Sequence, residues 1–404
     1  MTDRTPAAAS PAASPPTSTA GAWAAVFAMS LGVFSLVGAE FLPASLLTPM
    51  ADDLRISEGL AGQAVTATAA MGVVASLTVA AFTHRIDRRH VLIGFSLLLI
   101  VSNLIVAFAG SVEVLLAGRL LLGAALGGFW SLSTAVVMRL VPEASVPKAL
   151  SIMVSGVSAA TIFAAPVGSY VGDLLGWRFV FAGAAGLAVL VLAVQVATLP
   201  SLPPRGRTRL STLVELMSRR HVALAMLAVL LVFAGHMSLF TYIRPFLETV
   251  TGIGVTAISA TLLAFGVANF AGNYLGSMLV ARSLRLTLAL APLAIAGLAV
   301  LMTNLGADFP SALAIVTLWG LAFGTVPVAW SAWVSRAVAD EPESAGGLLV
   351  AAINLAIAAG AAVGGLVLDL SGVTSVFLTS SSVLALATLT VLAGVQTGRA
   401  PARA

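Results

Sequence analysis

The chain has 404 residues, of which 59% are apolar and only 9% are charged, with a formal net charge of +4. A soluble protein of this size could not cover its surface with so few charges, so the composition excludes a cytosolic enzyme, a disordered protein and a nucleic-acid-binding protein. The mean hydropathy of +1.05 is typical of an integral membrane protein. The absence of cysteine excludes disulfides, thiol nucleophiles and cysteine-based metal sites.

The chain begins with a segment rich in Pro, Ala, Ser and Thr (1–20), for which we predict a disordered tail. Apolar runs that are long enough to cross a bilayer as helices follow, since a spanning helix needs about 20 residues. Twelve are predicted, at 22–49, 60–83, 91–110, 112–138, 148–171, 177–199, 222–246, 255–281, 284–306, 309–335, 345–369 and 373–396. The fold class predicted is therefore an all-α membrane protein with twelve transmembrane helices.

The longest break between predicted spans, 200–221, is basic and contains three prolines. We expect it to be a cytoplasmic loop that separates an N-terminal six-helix bundle (21–199) from a C-terminal one (222–397), with a short tail at 398–404. With both termini placed in the cytoplasm, 16 of the 20 Lys and Arg residues fall on cytoplasmic segments, three fall outside and Arg119 falls within a span. Because cytoplasmic loops carry an excess of Lys and Arg, this split predicts cytoplasmic termini.

The two halves of the sequence resemble each other. Shifts of 196 or 197 positions superpose prolines, glycines and charged residues, among them Pro49 with Pro245, Asp173 with Asp369, Gly123 with Gly320, Gly127 with Gly324 and Arg139 with Arg336. Two homologous six-helix bundles predict a transporter whose substrate site lies at the interface of the repeats, near the middle of the membrane.

Four local motifs resemble those of the major facilitator superfamily, in its twelve-span drug/proton antiporter branch. They are THRIDRRHVL (83–92), LLAGRLLLGAALGG (115–128), AAPVGSYVG (164–172) and GWRFVF (176–181). The first departs from the family pattern, because His84 stands where the family has an aspartate and Asp87 where it has a glycine. Alanine also replaces a usual glycine at position 165. The resemblance implies a conformational role for the motif residues Arg85, Asp87, Arg88, Arg89, Pro166 and Gly168.

Within this branch, segments 40–66, 125–133, 138–151 and 240–246 resemble bacterial exporters of purine ribonucleosides. The resemblance implies export of inosine or guanosine in exchange for protons, across the bacterial cytoplasmic membrane, by a protein that works as a monomer. The partners expected are the small-molecule substrate, protons and the lipid bilayer, with no nucleic acid, cofactor or metal. The alternative is a multidrug or sugar exporter of the same superfamily. A membrane-embedded sensor or enzyme is disfavoured, because no compact catalytic constellation is visible.

Glu40 is the only acid well inside a predicted span, where an ionisable group costs roughly 2.5 kcal/mol or more by insertion scales. Arg119 lies at a similar depth in the fourth span, and the resemblance implies that the first and fourth spans are neighbours. Glu40 and Arg119 could load and release a proton as access alternates, or form a static ion pair that fixes the helices. No phosphate-binding loop is present, so an ion gradient is the expected energy source.

Candidate substrate contacts lie on spans that the resemblance places around the cavity. His236 is the repeat counterpart of Glu40 and could bond a base or a ribose hydroxyl, or another helix. Aromatic faces and amides could hold a planar base and its ribose, or serve helix packing instead. These candidates are Trp130, Phe240, Tyr242, Asn269, Asn273, Trp330 and Asn354.

Overall fold

The structure is a computed structural model that describes residues 19–203, 216–338 and 342–395. Fourteen α-helices joined by short connections lie wholly within these ranges. They are α1 (Thr19–Ser45), α2 (Leu47–Leu54), α3 (Glu58–Phe82), α4 (Arg88–Ala107), α5 (Val112–Leu140), α6 (Val146–Leu175), α7 (Trp177–Thr198), α8 (Arg220–Thr241), α9 (Ile243–Thr249), α10 (Val255–Arg282), α11 (Leu284–Leu305), α12 (Phe309–Ala337), α13 (Pro342–Ser371) and α14 (Val373–Gly394). All of them except α2 and α9 are long and apolar enough to cross a membrane, which confirms the twelve predicted spans.

The predicted first and seventh spans are not continuous helices, and this corrects their predicted bounds. Backbone breaks at Leu46 and Tyr242 separate α1 from α2 and α8 from α9. Pro49 and Pro245 are each the third residue of the helix after the break. Because proline has no N–H and its ring clashes with the carbonyl four residues earlier, each of these prolines favours a break in the preceding turn. The break therefore frees backbone carbonyls such as that of Ser45.

The helices form two six-helix bundles, α1–α7 and α8–α14, that are related by the repeat seen in the sequence. The bounds of α5 and α12 differ by 197 positions at both ends, and those of α6 and α13 by 196. The contacts repeat as well. A Cβ on Gly123 would lie 2.1 Å from the Thr68 carbonyl of α3, and one on Gly320 would lie 2.4 Å from the Phe265 carbonyl of α10. These glycines let α5 lie close against α3, and α12 against α10, in the same register.

The two bundles meet along two helix pairs, α3 with α13 and α6 with α10. Glycines permit close approach at both places: a Cβ on Gly59 would lie 2.4 Å from the Gly365 carbonyl, and one on Gly266 would lie 2.6 Å from the Thr161 carbonyl. The bundles also touch through α2 and α9. We call this end of the molecule the α2–α9 end. There the bundles are closed against each other by side chains described below.

The predicted tails fall mostly outside the described residues. The helix α1 begins at Thr19, so the last two residues of the predicted N-terminal tail are helical, and residues 1–18 lie outside. The predicted C-terminal tail and residues 204–215 of the predicted central loop also lie outside the described ranges. The described part of that loop runs up to 203 and resumes at Leu216, just before α8.

Candidate functional site

Arg119 of α5 is fully buried and bonds to backbone carbonyls of the two neighbouring helices. It donates to the Ala39 carbonyl at 2.8 Å, to the Glu40 carbonyl at 3.3 Å and to the Ala64 carbonyl at 3.3 Å. Pro43 explains why the first acceptor is available, because a proline inside α1 leaves the carbonyl of Ala39, four residues earlier, without its helical donor. The guanidinium therefore joins α5 to α1 and α3 at a site that Pro43 has prepared.

Glu40 lies beside this guanidinium, and its own side chain is buried, with 9% of the residue exposed. It stands six residues before the break at Leu46, which is about 9 Å along a helix. Among the residues that the structure describes, none forms an ion pair or a hydrogen bond with the Glu40 carboxylate. The two residues are neighbours at the same depth, as predicted, but Arg119 bonds the backbone of Glu40 rather than its carboxylate. The carboxylate is thus buried without a fixed partner in the described chain.

His236 of α8 lies in a cluster of aromatic side chains. Its ring stacks on Phe323 at a centroid distance of 3.3 Å and lies 5.9 Å from Phe240 and 6.3 Å from Phe265. The indole N–H of Trp319 donates to the imidazole Nδ1 at 3.1 Å. Because an indole can only donate, Nδ1 is an acceptor and the ring proton belongs on Nε2. His236 is therefore held as a neutral imidazole in a defined tautomer.

This aromatic cluster reaches across the interface between the bundles. Phe41, which follows Glu40 on α1, lies edge-on to Phe240 of α8 with ring centroids 5.6 Å apart. Phe240 in turn lies 5.2 Å from Phe265. The bridge of aromatic rings thus joins His236 of one repeat to Phe41, which follows Glu40, the equivalent position of the other repeat. Such a site offers flat apolar faces and a few polar groups, which is what a planar polar ligand requires.

The other predicted substrate contacts are dispersed. Trp330 is buried in the core of the second bundle, and Trp130 is half-buried beside the core of the first. Asn269 is buried and donates to the Gly320 carbonyl at 3.4 Å, while Asn273 is half-buried one turn further along α10. The structure does not gather these four residues around His236.

Asn354 and Tyr242 lie at the α3–α13 interface between the bundles. Asn354 donates to the Val350 carbonyl at 3.0 Å, but its side-chain oxygen is buried without a partner. A Cβ on Gly72 of α3 would lie 2.8 Å from that oxygen. Tyr242 is fully buried and donates to the Ala361 carbonyl at 2.7 Å. Tyr242 therefore packs at the α2–α9 end, and the side-chain oxygen of Asn354 is free to accept a donor at the interface.

The motif loop before α4 binds the segment that leaves the first bundle. Asp87 caps α4 by accepting from the Arg89 amide at 2.8 Å, and it accepts from the Leu202 amide at 2.8 Å. The Arg88 amide donates to the Leu202 carbonyl at 3.0 Å. Burial opposes ionisation of Asp87, but these hydrogen bonds and one from Ser201 outweigh it and lower the pKa of the carboxyl. In the described chain, this motif thus attaches 201–203 to the first bundle.

The remaining motif residues have simpler surroundings. Arg85 is exposed, and the Arg89 side chain donates to the Val196 carbonyl at 2.8 Å. Pro166 and Gly168 lie inside α6, where a Cβ on Gly168 would lie 2.8 Å from Leu42 of α1. Because Pro166 has no N–H, it leaves the carbonyl of Ile162 free, and Ile162 is where α6 meets Gly266 of α10. The motif in α6 therefore borders the second contact between the bundles.

Sequence reasoning missed four aromatic residues of this site: Phe41, Phe265, Trp319 and Phe323. A signal for two of them exists in the spacing, because Trp319 and Phe323 are four residues apart and so share a face of α12 with Gly320 next to it. Nothing in the spacing indicates that this face meets His236. In an apolar span the same aromatic residue types occur on the lipid-facing side and on the core-facing side, so the sequence pattern alone cannot distinguish the two.

Two pseudo-symmetric six-helix bundles, with a buried ionisable pair in the first and an aromatic bridge between them, define a membrane transporter. The profile of the Major Facilitator Superfamily matches residues 23–348, and the chain belongs to this family. The chain is 46% identical over 374 residues to the purine ribonucleoside efflux pumps NepI of Escherichia coli (strain K12) and Shigella dysenteriae serotype 1 (strain Sd197). The match covers 93% of this chain and 94–95% of those proteins.

Solved structures show the same fold at low sequence identity. A D-xylose–proton symporter superposes with a TM-score of 0.75 at 16% identity, covering 93% of this chain and 98% of its own. A bacterial homologue of the human lysosomal transporter Spinster, in an inward-facing and unoccupied conformation, superposes with a TM-score of 0.73 at 16% identity, covering 96% of this chain and all of its own. The chain is thus a multi-pass membrane transporter rather than an enzyme.

Proposed function

We propose that this transporter exports purine ribonucleosides such as inosine and guanosine in exchange for protons. The observation that carries the substrate is the 46% identity, over nearly the whole chain, to efflux pumps of that specificity. The aromatic bridge of Phe41, Phe240 and the ring of His236 supports it, because a planar base can stack on such faces. The protein acts as a monomer in the bacterial cytoplasmic membrane with both termini in the cytoplasm, so that the α2–α9 end faces outwards.

Glu40 is the proton carrier in this proposal. A static ion pair, the alternative role, would have the guanidinium of Arg119 on the carboxylate. Instead Arg119 bonds the carbonyls of Ala39, Glu40 and Ala64, and the carboxylate has no fixed partner among the described residues. A buried carboxyl group with no fixed partner can take up a proton in one state and release it when access to water changes.

Polar groups at the interface provide the contacts for the ribose. The unpaired oxygen of Asn354 can accept a hydroxyl, and His236 has a donor at Nε2. A site built to bond hydroxyls rejects an analogue that lacks one, because its own buried groups are then left unpaired. We therefore expect inosine to bind more tightly than 2′-deoxyinosine, and His236→Leu to weaken the binding of both.

Competition binding to the purified protein, with inosine, 2′-deoxyinosine and a flat apolar drug as competitors, tests the substrate. Tighter binding of inosine than of the other two supports nucleoside export. Equal affinity for all three would favour the multidrug exporter, which the aromatic bridge also suits, and no nucleoside binding at all would refute the substrate assignment.

Proton-driven efflux from vesicles tests the coupling. Glu40→Gln keeps the shape of the side chain but removes its titrating group, so we expect gradient-driven efflux to fall sharply while ligand binding partly survives. Glu113→Gln makes the same chemical change in the first turn of α5 and serves as the control. Normal pH-driven efflux by the Glu40→Gln variant would exclude Glu40 as the proton carrier.

Reporter fusions test the orientation. A reporter fused after the last residue should read cytoplasmic, and one inserted between Asp52 and Glu58 should read external. Opposite readings at both places would reverse the topology.

A further inference from the structure

A cluster of acidic and hydroxyl groups joins the two bundles at the α2–α9 end. The hydroxyl of Thr48, on α2, lies 2.8 Å from a carboxylate oxygen of Glu58 at the start of α3. The same hydroxyl lies 2.6 Å from a carboxylate oxygen of Glu248 on α9, in the other bundle. Arg244 of α9 donates to the second oxygen of Glu248 at 2.7 Å and also bonds the Ser45 carbonyl that the break after α1 has freed.

The cluster has too few hydrogen atoms to form both of its hydrogen bonds unless one carboxyl group is protonated. A hydroxyl has a single hydrogen to donate, and an ionised carboxylate can only accept. Thr48 therefore satisfies one of its two acidic neighbours, and the other must donate a hydrogen of its own to the Thr48 oxygen. Without that proton, two oxygen atoms would face each other at hydrogen-bonding distance with no hydrogen between them.

The proton belongs on Glu58 rather than on Glu248. Glu248 is paired with the guanidinium of Arg244, which favours its ionised form. Glu58 is not paired with a cation in this way. The first-turn amides of Gly59 and Leu60, which could stabilise an ionised Glu58, already donate to Asp369 and to the Ser57 hydroxyl. Glu58 therefore donates a hydrogen bond to Thr48, and Thr48 donates one to Glu248.

The other charges around Glu58 also favour a bound proton. Asp52 of α2 and Glu248 of α9 add negative charge, while Arg244 is the one cation among the described residues that acts on Glu58. Asp369 of α13 accepts hydrogen bonds from the Ser57 hydroxyl and from the amide of Gly59. The nearby phenol of Tyr242 already donates to the Ala361 carbonyl. Three acids and one cation around a half-buried carboxyl group leave an excess of negative charge that a proton offsets.

We propose that the contact between the bundles at the α2–α9 end contains its own proton-binding site, in which protonated Glu58 donates a hydrogen bond to Thr48 and the Thr48 hydroxyl donates one to Glu248. The proton holds this end closed. When the bundles separate here, Glu248 leaves with the second bundle, Glu58 meets water and the proton is released. The closed state therefore binds one proton more than the open state, so acid favours closure and base favours opening. This site is distinct from Glu40 and does not depend on which substrate is carried.

The absence of native cysteine makes a direct distance measurement possible. Gly110 and Ala307 are exposed, lie 197 positions apart and occupy equivalent connections of the two bundles at the α2–α9 end. A Cβ on Gly110 meets no atom within 4 Å, so a cysteine fits there. Spin labels on Gly110→Cys and Ala307→Cys then report the closed-to-open ratio of the full-length protein in detergent, measured from pH 8.5 downwards.

In the labelled parent we expect the closed-to-open ratio to rise as the pH falls, by up to about tenfold per pH unit, since one proton is linked to closure. In Glu58→Gln, whose amide donates to Thr48 at every pH, the ratio should stay high and lose its pH dependence. Thr48→Val should abolish the dependence by removing the shared hydroxyl, whereas Thr48→Ser keeps that hydroxyl and should preserve it.

Two further variants separate this site from the coupling carboxyl group. Glu113→Gln should keep the parental pH response, because Glu113 takes no part in the cluster, and Glu40→Gln should keep the part of the response that Glu58 supplies. A parental protein without pH response, or a response that persists in Glu58→Gln and Thr48→Val, would overturn the proposal. A response that disappears only in Glu40→Gln would overturn it too, and would leave Glu40 as the proton carrier.

Discussion

Tyr242 closes the α2–α9 end by packing against glycines of both bundles, and Gly62 of α3 tests this directly. A Cβ on Gly62 would lie 2.1 Å from the Tyr242 hydroxyl and 2.7 Å from its Cζ. The ring cannot yield easily, because it is fully buried and bonded to the Ala361 carbonyl. We therefore expect Gly62→Ala to disfavour the closed state, since the methyl group has no room unless the bundles separate here.

The magnitude follows from two losses. Inserting a methyl group into a packed site costs typically 1–3 kcal/mol, and a lost neutral hydrogen bond about 1 kcal/mol. Together, about 2–4 kcal/mol would lower the closed-to-open ratio roughly 30-fold to 1,000-fold, at about 1.4 kcal/mol for each factor of ten. The intrinsic helix preference of alanine over glycine cancels, because α3 is a helix in both states.

The spin-label pair at 110 and 307 measures this ratio. Gly186→Ala in α7 is the matched control, because a Cβ there meets no atom within 4 Å. Combining Gly62→Ala with Tyr242→Phe removes the nearest clashing atom and should recover part of the closed population. If Gly62→Ala left the distance distribution unchanged, Tyr242 could not be the side chain that sets closure at this end.

Two further changes test the packing described above. Arg119→Lys should lower the thermal stability, because three separate guanidinium nitrogens bond the Ala39, Glu40 and Ala64 carbonyls and a lysine has a single nitrogen in their place; hydrogen bonds to a charged group contribute about 1.5–3 kcal/mol each. A melting temperature equal to that of the parent would contradict this. Asp87→Ala should speed trypsin cleavage after Arg205, three residues beyond Leu202, since it removes the cap of α4, which contributes about 0.5–2 kcal/mol, and the bonds to Ser201 and Leu202. Because the pKa of Asp87 is lowered in the folded protein, the unmodified contact should persist at neutral pH and be lost only as the pH falls below the ordinary value of 3.8.

The spans and the repeat could be predicted because they depend on composition and on spacing, which a sequence displays directly. The breaks at Leu46 and Tyr242 could not be predicted from hydropathy, because proline interrupts a helix without making an apolar run polar. The repeat showed Pro49 and Pro245, but it did not show which side chains donate hydrogen bonds to the backbone carbonyls that the breaks free. One of these partners, Arg244, comes from the other bundle and is about 200 positions away from Ser45.

The site was predicted in part. Equal depth along two spans correctly brought Arg119 beside Glu40, since depth follows from helical rise and loop position. The choice between a backbone carbonyl and a carboxylate as acceptor depends on ångström-scale geometry that spacing does not contain. The aromatic residues around His236 were missed for a related reason: Trp319 belongs to α12 of the same bundle, and only the packing of α8 against that helix reveals its bond to the imidazole.

Some of the positions at which the two repeats differ carry the contacts described above. Residues that match across the repeat, such as Pro49 with Pro245 and Gly123 with Gly320, break and pack the helices in the same way in both halves. At three other equivalent pairs the chemistry diverges: Glu40 stands opposite His236, Leu46 opposite Tyr242, and Thr48 opposite Arg244. A symmetric pair of bundles needs only the matching residues to fold. The divergent pairs supply a buried acid in one bundle and a fixed imidazole in the other, a tyrosine that fills a glycine-lined gap, and a hydroxyl that joins two acids of which only one has a cation. Each of these arrangements needs two different partners, so identical repeats could not have produced any of them.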